Sequence, residues 1–524
     1  RISVRRVASV IVTAMAMTLV FATLGWAMMP QWNTRPYTKH IVIASADTTI
    51  TPAHANIPHE GRYRTRETRL SIKTGDGVTL PAVLREPVGA PGPRPACLFI
   101  HGSGTSGAED FGDIANAMAS AGIVTLVPAK RNDNYTVLHR DYPRFAREYG
   151  RSLDVLRGRI GVDPAKTGIY AESEGTWIAT ILTSKRQDIA FAVLTSAPVF
   201  NGREQMAMAV SAYTHEAGAP KPVVKDMAKL MSLDYAPFDL AYADFDADRY
   251  LKSLTMPVLV NYGTYDTAMP IEQGAQRIIA TANKSGNENV TVRYFAGNHQ
   301  MRAGEGLFTP NLPLAEGYTQ ALENWVNGVT AGTKADGWAT PHQRFAASQR
   351  TRSGIVGSLG VLAGLMVAGP VLIVMAAILG IGLTVFSWLQ TLLAGRRSVA
   401  TVRAVHATPS ELGAAQRRML HGIAGLSAGI GTAVMVITGL LYGYMSAVGV
   451  SAVLVMPQPR LFAVGWVVLR IATMLLVVLF AWEMERVWYC RADIVGVRRV
   501  ICVMVALGTL ATLMTLAFWG LFSL

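Results

Sequence analysis

The sequence predicts an α/β domain, a mostly parallel sheet with helices on both faces, joined to α-helical transmembrane segments. Three observations carry this expectation. Short apolar runs alternate with amphipathic stretches between residues 68 and 328, the order that builds a parallel sheet covered by helices. Longer apolar runs lie on either side, at 7–29 and within 355–523, and each holds the ~20 residues a membrane helix needs. The net charge of +13 gathers beside those runs, where positively charged cytoplasmic flanks belong.

The charge pattern also decides against nucleic acid as a partner. A nucleic-acid-binding domain clusters Lys and Arg on a soluble face. Here the excess is Arg1, Arg5 and Arg6, then Arg396, Arg397, Arg403, Arg417 and Arg418, then Arg486, Arg491, Arg498 and Arg499. Only 16% of the 524 residues are charged, against roughly 25% in soluble proteins. Cys97, Cys490 and Cys502 lack metal-ligand spacing and make no disulfide framework, so they are expected as small buried hydrophobes.

Val7–Met29 follows a basic start and is longer than the ~7–15 apolar residues of a signal peptide. The nearest Ala-x-Ala, Ala44-Ser45-Ala46, lies too far beyond it. Residues 1–29 are therefore expected as an uncleaved anchor. Four further spans are expected near 356–382, 421–445, 461–482 and 501–522, within a membrane domain over 355–524. Apolar sequence continues from 382 to Gly395 and has room for a second span there. Only a single span, broken or tilted at Gly369-Pro370, puts every Arg-rich loop on one side. Five spans then leave residues 30–352 outside the cytoplasm of a cell membrane. Gly360/Gly364, Gly425/Gly429 and Gly439/Gly443 are spaced to let helices approach closely. Arg470 is a basic residue well inside a span, either a functional group or one reaching a headgroup.

The soluble domain is expected over 68–330, between linkers at 30–67 and 331–354. Leu70 and Ile72, Gly75-Asp76-Gly77, then Val78 and Leu80 form a hairpin pattern. Ala96–Ile100 is a short apolar run, hence a buried parallel strand. His101-Gly102-Ser103-Gly104 follows, then a helix at 109–121, a strand at 123–127 and a helix at 141–160, where Phe145, Tyr149, Leu153 and Leu156 fall at helical spacing. Next come a strand at 167–170, a helix at 175–183, a strand at 190–194, a helical stretch at 200–255, a strand at 258–261, a helix at 271–283, a strand at 290–295 and a helix at 314–327.

The chemistry-bearing residues fall at the carboxyl ends of these strands, where open parallel sheets bind ligands. Ala171-Glu172-Ser173-Glu174-Gly175 lies between a strand and a helix. A nucleophile on so tight a turn needs tiny residues two positions to either side, and Ala171 and Gly175 meet that need. A serine hydroxyl requires a base to take its proton. His299 follows the last strand, and Asp266 follows the strand before it, placed to orient the imidazole. Rival acids are Asp239, Asp244, Asp246 and Asp248, and rival bases His139 and His215, none after a matching strand. Backbone N–H groups of Glu174 and Ser103 are the expected donors to an oxyanion. Glu172 and Glu174 flank the serine and are expected to tune local charge or bind a cationic group, ahead of a glycosidase-like acid pair.

On Ala171-Glu172-Ser173-Glu174-Gly175, His101-Gly102-Ser103-Gly104 and the order Ser173, Asp266, His299, residues 68–328 resemble the α/β-hydrolase superfamily, in its esterase, dienelactone-hydrolase and serine-aminopeptidase-like branch. The resemblance implies an eight-stranded sheet, a helical cap at about 200–255, and no metal or organic cofactor. The chain departs from the usual elbow in Ala171 for the first glycine and Glu172 for a common histidine. The expected function is hydrolysis of an ester, or an amide or thioester, on a small ester, lipid or cell-envelope substrate. Acyl transfer through the same serine, and a non-catalytic sensing or binding module, are the alternatives. Oligomeric state is left open by the sequence.

Overall fold

The computed structural model describes residues 4–29, 45–53, 55–136, 139–235, 244–304, 311–337, 358–397, 411–454 and 456–523. Residues 30–44 and 338–354 of the expected linkers, Arg1, Arg403 and Asp239 lie outside the described residues. The chain divides into two units. One is residues 32–213 with 235–351, and the other is residues 1–31, 214–234 and 352–524.

The first unit is built on eight strands: β1 (Thr65–Lys73), β2 (Thr79–Pro87), β3 (Arg94–Ile100), β4 (Val124–Pro128), β5 (Val162–Glu172), β6 (Ala192–Thr195), β7 (Val258–Gly263) and β8 (Val290–Phe295). They lie in the order β1-β2-β4-β3-β5-β6-β7-β8. β2 pairs antiparallel with β1 and β4, and every pairing from β4 to β8 is parallel. Adjacent β3 residues point to opposite faces, and both faces are covered. Leu98 and Ile100 enter one core with Ile169, Leu194 and Val260. Cys97 and Phe99 enter the other with Tyr170, Val193 and Leu259. That two-sided burial explains why the parallel strands are continuous apolar runs rather than alternating ones.

Helices α2 (Gly112–Ser120), α3 (Tyr142–Arg157), α4 (Gly175–Lys185), α8 (Ile271–Lys284) and α9 (Tyr318–Thr330) cover the sheet. α3 starts where Asp141 accepts the Arg144 N–H at 2.9 Å, an N-cap before Pro143 in the first turn. Part of the expected linker is packed rather than extended. Ile50 is fully buried in the second core, its carbonyl accepts from Asn324 at 2.9 Å, and the Glu60 N–H donates to Glu323 at 2.7 Å.

The stretch at 200–255 is helical among the described residues, with α5 (Gly202–Glu216), α6 (Lys221–Lys229) and α7 (Asp248–Leu251). Its middle, 214–234, groups with the apolar helices of the second unit. Those are α1 (Val4–Ala27), α10 (Leu359–Arg397), α11 (Glu411–Leu454), α12 (Pro459–Tyr489) and α13 (Val497–Phe518). All five are long and apolar enough to cross a membrane.

α10 runs unbroken through Pro370 for 39 residues, about 58 Å at 1.5 Å per residue, so the apolar sequence from 382 to Gly395 continues the same helix. Close approach uses other glycines than the spaced pairs. A Cβ on Gly369 would lie 2.3 Å from Thr512 Oγ1 and one on Gly25 would lie 2.7 Å from the Ala517 carbonyl, whereas Gly364, Gly425, Gly429, Gly439 and Gly443 have open space. Four-residue spacing puts two glycines on one helix face but does not say what that face meets. Arg470 donates to the Ser523 carbonyl at 2.5 Å.

Candidate active site

β5 ends at Glu172 and α4 begins at Gly175, leaving a two-residue turn. Ser173 there has φ +53°, a region uncommon for a residue with a Cβ and kept only where the surroundings hold it. Its N–H donates to the Thr195 carbonyl at 2.9 Å, and its carbonyl accepts from the Thr176 N–H at 2.9 Å. The turn leaves no space around it. A Cβ on Gly175 would lie 2.6 Å from the Ile100 carbonyl, and one on Gly102 would lie 3.0 Å from the Ser173 Cβ.

Three expected side chains meet at this point. His299 Nε2 lies 2.9 Å from Ser173 Oγ, and His299 Nδ1 lies 2.8 Å from Asp266 Oδ2. An ionised carboxylate only accepts, so Nδ1 carries the proton and Nε2 is left to accept from the serine hydroxyl. Asp266 is fully buried, and its other oxygen accepts the Ala268 N–H at 3.0 Å. Burial alone would lower the pKa of His299, but the charge and hydrogen bond of Asp266, helped by Glu172, carry it above the ordinary value. The loops bearing the acid and the imidazole touch at Gly263, where a Cβ would lie 2.3 Å from the Gly297 carbonyl.

The loop after β3 is pinned by His101, which is fully buried. Its Nε2 donates to the Gly107 carbonyl at 2.9 Å, so Nδ1 accepts from the Tyr149 hydroxyl at 2.9 Å. Tyr149 accepts in turn from the His101 N–H at 3.2 Å. Burial holds this imidazole neutral, its pKa pushed down to about 4. Ser103 follows on that loop, and Glu174 follows the turn serine. Among the described residues, neither of their N–H groups donates to a protein acceptor.

The two glutamates have different surroundings. Glu172 is buried beside the imidazole, and burial pushes its pKa up to about 7. Glu174, also buried, accepts from Lys130 Nζ at 3.1 Å, Tyr135 at 2.8 Å, Tyr142 at 3.2 Å and Arg140. Burial opposes its ionisation, yet Lys130 and Arg140 hold its pKa below the usual value. Its cations are already engaged inside the protein, so the expectation that it binds a cationic substrate group has no support in this geometry.

Lys130, Tyr149 and Ser196 have no place at the site expected from the sequence. Ser196, fully buried with φ +51°, donates to the His299 carbonyl at 2.7 Å. Ser196 and Lys130 each come just after a strand, so the positional rule that found Asp266 and His299 applies to them too. Among the described residues no cluster of three or more His, Cys, Asp or Glu can hold a metal ion.

No family model matches the chain, and no curated protein does. Solved structures are similar to it. An α/β hydrolase, GrgF, from Penicillium sp. sh18 is 13% identical with a TM-score of 0.32, over 44% of this chain and 89% of that one. Brefeldin A esterase, a bacterial homologue of human hormone-sensitive lipase, is 17% identical with a TM-score of 0.34, over 55% and 81%. Bacterial heroin esterase is 17% identical with a TM-score of 0.32, over 44% and 75%. With β2 alone reversed, the order β1-β2-β4-β3-β5-β6-β7-β8 and helices on both faces, the first unit has the α/β-hydrolase fold.

Proposed function

We propose that the protein is a membrane-bound serine hydrolase that cleaves an ester through Ser173, His299 and Asp266. The observation that carries the proposal is the continuous hydrogen-bonded chain from the strained turn serine through the imidazole to a buried carboxylate, with all three at strand carboxyl ends.

In this reading Ser173 Oγ attacks the substrate carbonyl carbon while its proton passes to His299 Nε2. The oxygen gains negative charge and is met by the N–H groups of Ser103 and Glu174. Asp266 stabilises the imidazolium without taking its proton. His299 then protonates the leaving alkoxide as the carbon–oxygen bond breaks, leaving an acyl group on Ser173. Water, giving its proton to the same nitrogen, attacks that ester and frees the acid and the serine. Each group is used twice, so one set of hydrogen bonds serves both halves.

The five apolar helices support a lipid or cell-envelope ester held at a plasma membrane. Arg5 and Arg6 at the start of α1 and Arg486, Arg491, Arg498 and Arg499 around the turn from α12 to α13 support one cytoplasmic side, with the hydrolase unit opposite. A fluorophosphonate probe tests the chemistry in membranes containing the full chain. Labelling that disappears in Ser173→Ala supports the proposal; equal labelling of that variant refutes it.

A further inference from the structure

The buried ammonium of Lys130 sits where the two proposed oxyanion donors come together. Its side chain is 1% exposed and that of Glu174 5%. A surface ion pair of this kind is a common and weak feature. A buried one needs a different explanation, because two apolar residues of like volume commonly stabilise a core as well or better.

The partners of Lys130 supply one. Nζ donates to the Gly102 carbonyl at 2.6 Å and to Glu174 Oε1 at 3.1 Å. The Gly102 carbonyl belongs to the same peptide group as the Ser103 N–H. In a trans peptide the carbonyl and N–H point in opposite directions, so holding one on Lys130 aims the other away from it. The hold matters because glycines flank Ser103: Gly102 precedes it, and Gly104 has φ +82°. Such a segment turns its peptide planes easily. The other contact fixes the side chain of Glu174, the residue whose own N–H is the second donor. Tyr135 closes the ring, with its hydroxyl 3.3 Å from Ser103 Oγ and 2.8 Å from Glu174 Oε1.

We propose that Lys130 is a positioning residue that locks the Gly102–Ser103 peptide in the orientation that presents the Ser103 N–H to the oxyanion, and ties that peptide to the Glu174 donor. A charge-assisted bond to the carbonyl also polarises the amide and strengthens its N–H as a donor. Without the ammonium the peptide is free to turn and offer its carbonyl to the oxyanion instead. This assignment rests on the serine-hydrolase reading above.

The test compares Lys130→Met and Lys130→Arg with the full-length wild type in detergent, using p-nitrophenyl butyrate as substrate and a trifluoromethyl ketone as an oxyanion-forming inhibitor. Loss of one oxyanion donor costs roughly 100–1000-fold in kcat, and a group acting at one remove is expected to cost roughly 10–100-fold. Lys130→Met should lose that in kcat with KM changed less than threefold, and bind the ketone weaker by a similar factor. Lys130→Arg, which keeps a charged donor, should recover part of both. Wild-type protein that neither turns over the ester nor binds the ketone overturns the hydrolase reading itself. Active wild type with a folded Lys130→Met of unchanged kcat and ketone affinity overturns the role of Lys130 alone. If Lys130→Met is recovered unfolded, Lys130→Gln replaces it under the same two criteria.

Discussion

The Ser196 hydroxyl donates to the main-chain carbonyl of His299 at 2.7 Å, fastening the loop that carries the imidazole to the end of β6. Ser196→Ala leaves a carbonyl without that donor in a buried position, at about 1–3 kcal/mol. The variant should lose roughly tenfold in kcat, as expected for a small misplacement of a reacting group. Ester turnover measured alongside an apparent Tm checks this. A full loss of activity at unchanged Tm would instead put Ser196 in direct contact with substrate.

His299→Gln should abolish fluorophosphonate labelling, since no other base reaches Ser173 Oγ among the described residues. Asp266→Asn should retain labelling at a rate reduced by roughly 10⁴, the scale seen when an imidazole is held in the wrong tautomer. Timed labelling of membranes resolves the two.

The proposed mechanism requires a neutral Nε2 on His299. The pKa of that imidazole lies above its ordinary value, so kcat/KM should fall as pH drops through a midpoint above about 6.5. Glu172 contributes charge that raises this pKa. Glu172→Gln should therefore move the acid limb to lower pH, read from a pH–rate profile on p-nitrophenyl butyrate.

Asp226 and Lys229 are buried in the second unit, 3.6 Å apart, and Lys229 also donates to the Phe518 carbonyl. Removing one partner leaves a lone buried charge. Lys229→Met alone should destabilise by about 3–5 kcal/mol, whereas Asp226→Leu with Lys229→Met should come closer to wild type. Apparent Tm in detergent is the measurement.

With the native cysteines replaced by alanine, an impermeant maleimide should label a cysteine at Lys252 on intact cells. A cysteine at Arg491 should react only after permeabilisation. Both positions are exposed, and the reverse result would invert the proposed orientation.

The sequence was legible where one physical rule acts alone. Ala96–Ile100 is a buried strand because both its faces are apolar, and the meeting of Asp266 and His299 with Ser173 follows from their each coming after a parallel strand. It was less legible where the deciding fact is a partner distant along the chain. Ile50 looks like any apolar residue of a linker until Asn324 caps its carbonyl. The glycines at 425 and 429 have the right spacing but face open space, while Gly369 makes the close contact without a paired neighbour. Lys130 carries no motif, and its role comes from the Gly102 carbonyl and Glu174 meeting at its ammonium.

The polypeptide belongs to the helical unit over three separate stretches, 1–31, 214–234 and 352–524. The middle visit interrupts the hydrolase between β6 and β7. Trimming both ends to obtain the hydrolase-fold unit alone would therefore leave residues 214–234 behind without the other two stretches of their unit. Asp226 and Lys229, both buried in the intact chain, would lose their contacts with Gly520 and Phe518. Such a fragment should aggregate unless that excursion is replaced by a short polar turn, so the boundaries of a soluble version have to be drawn inside the sequence as well as at its ends.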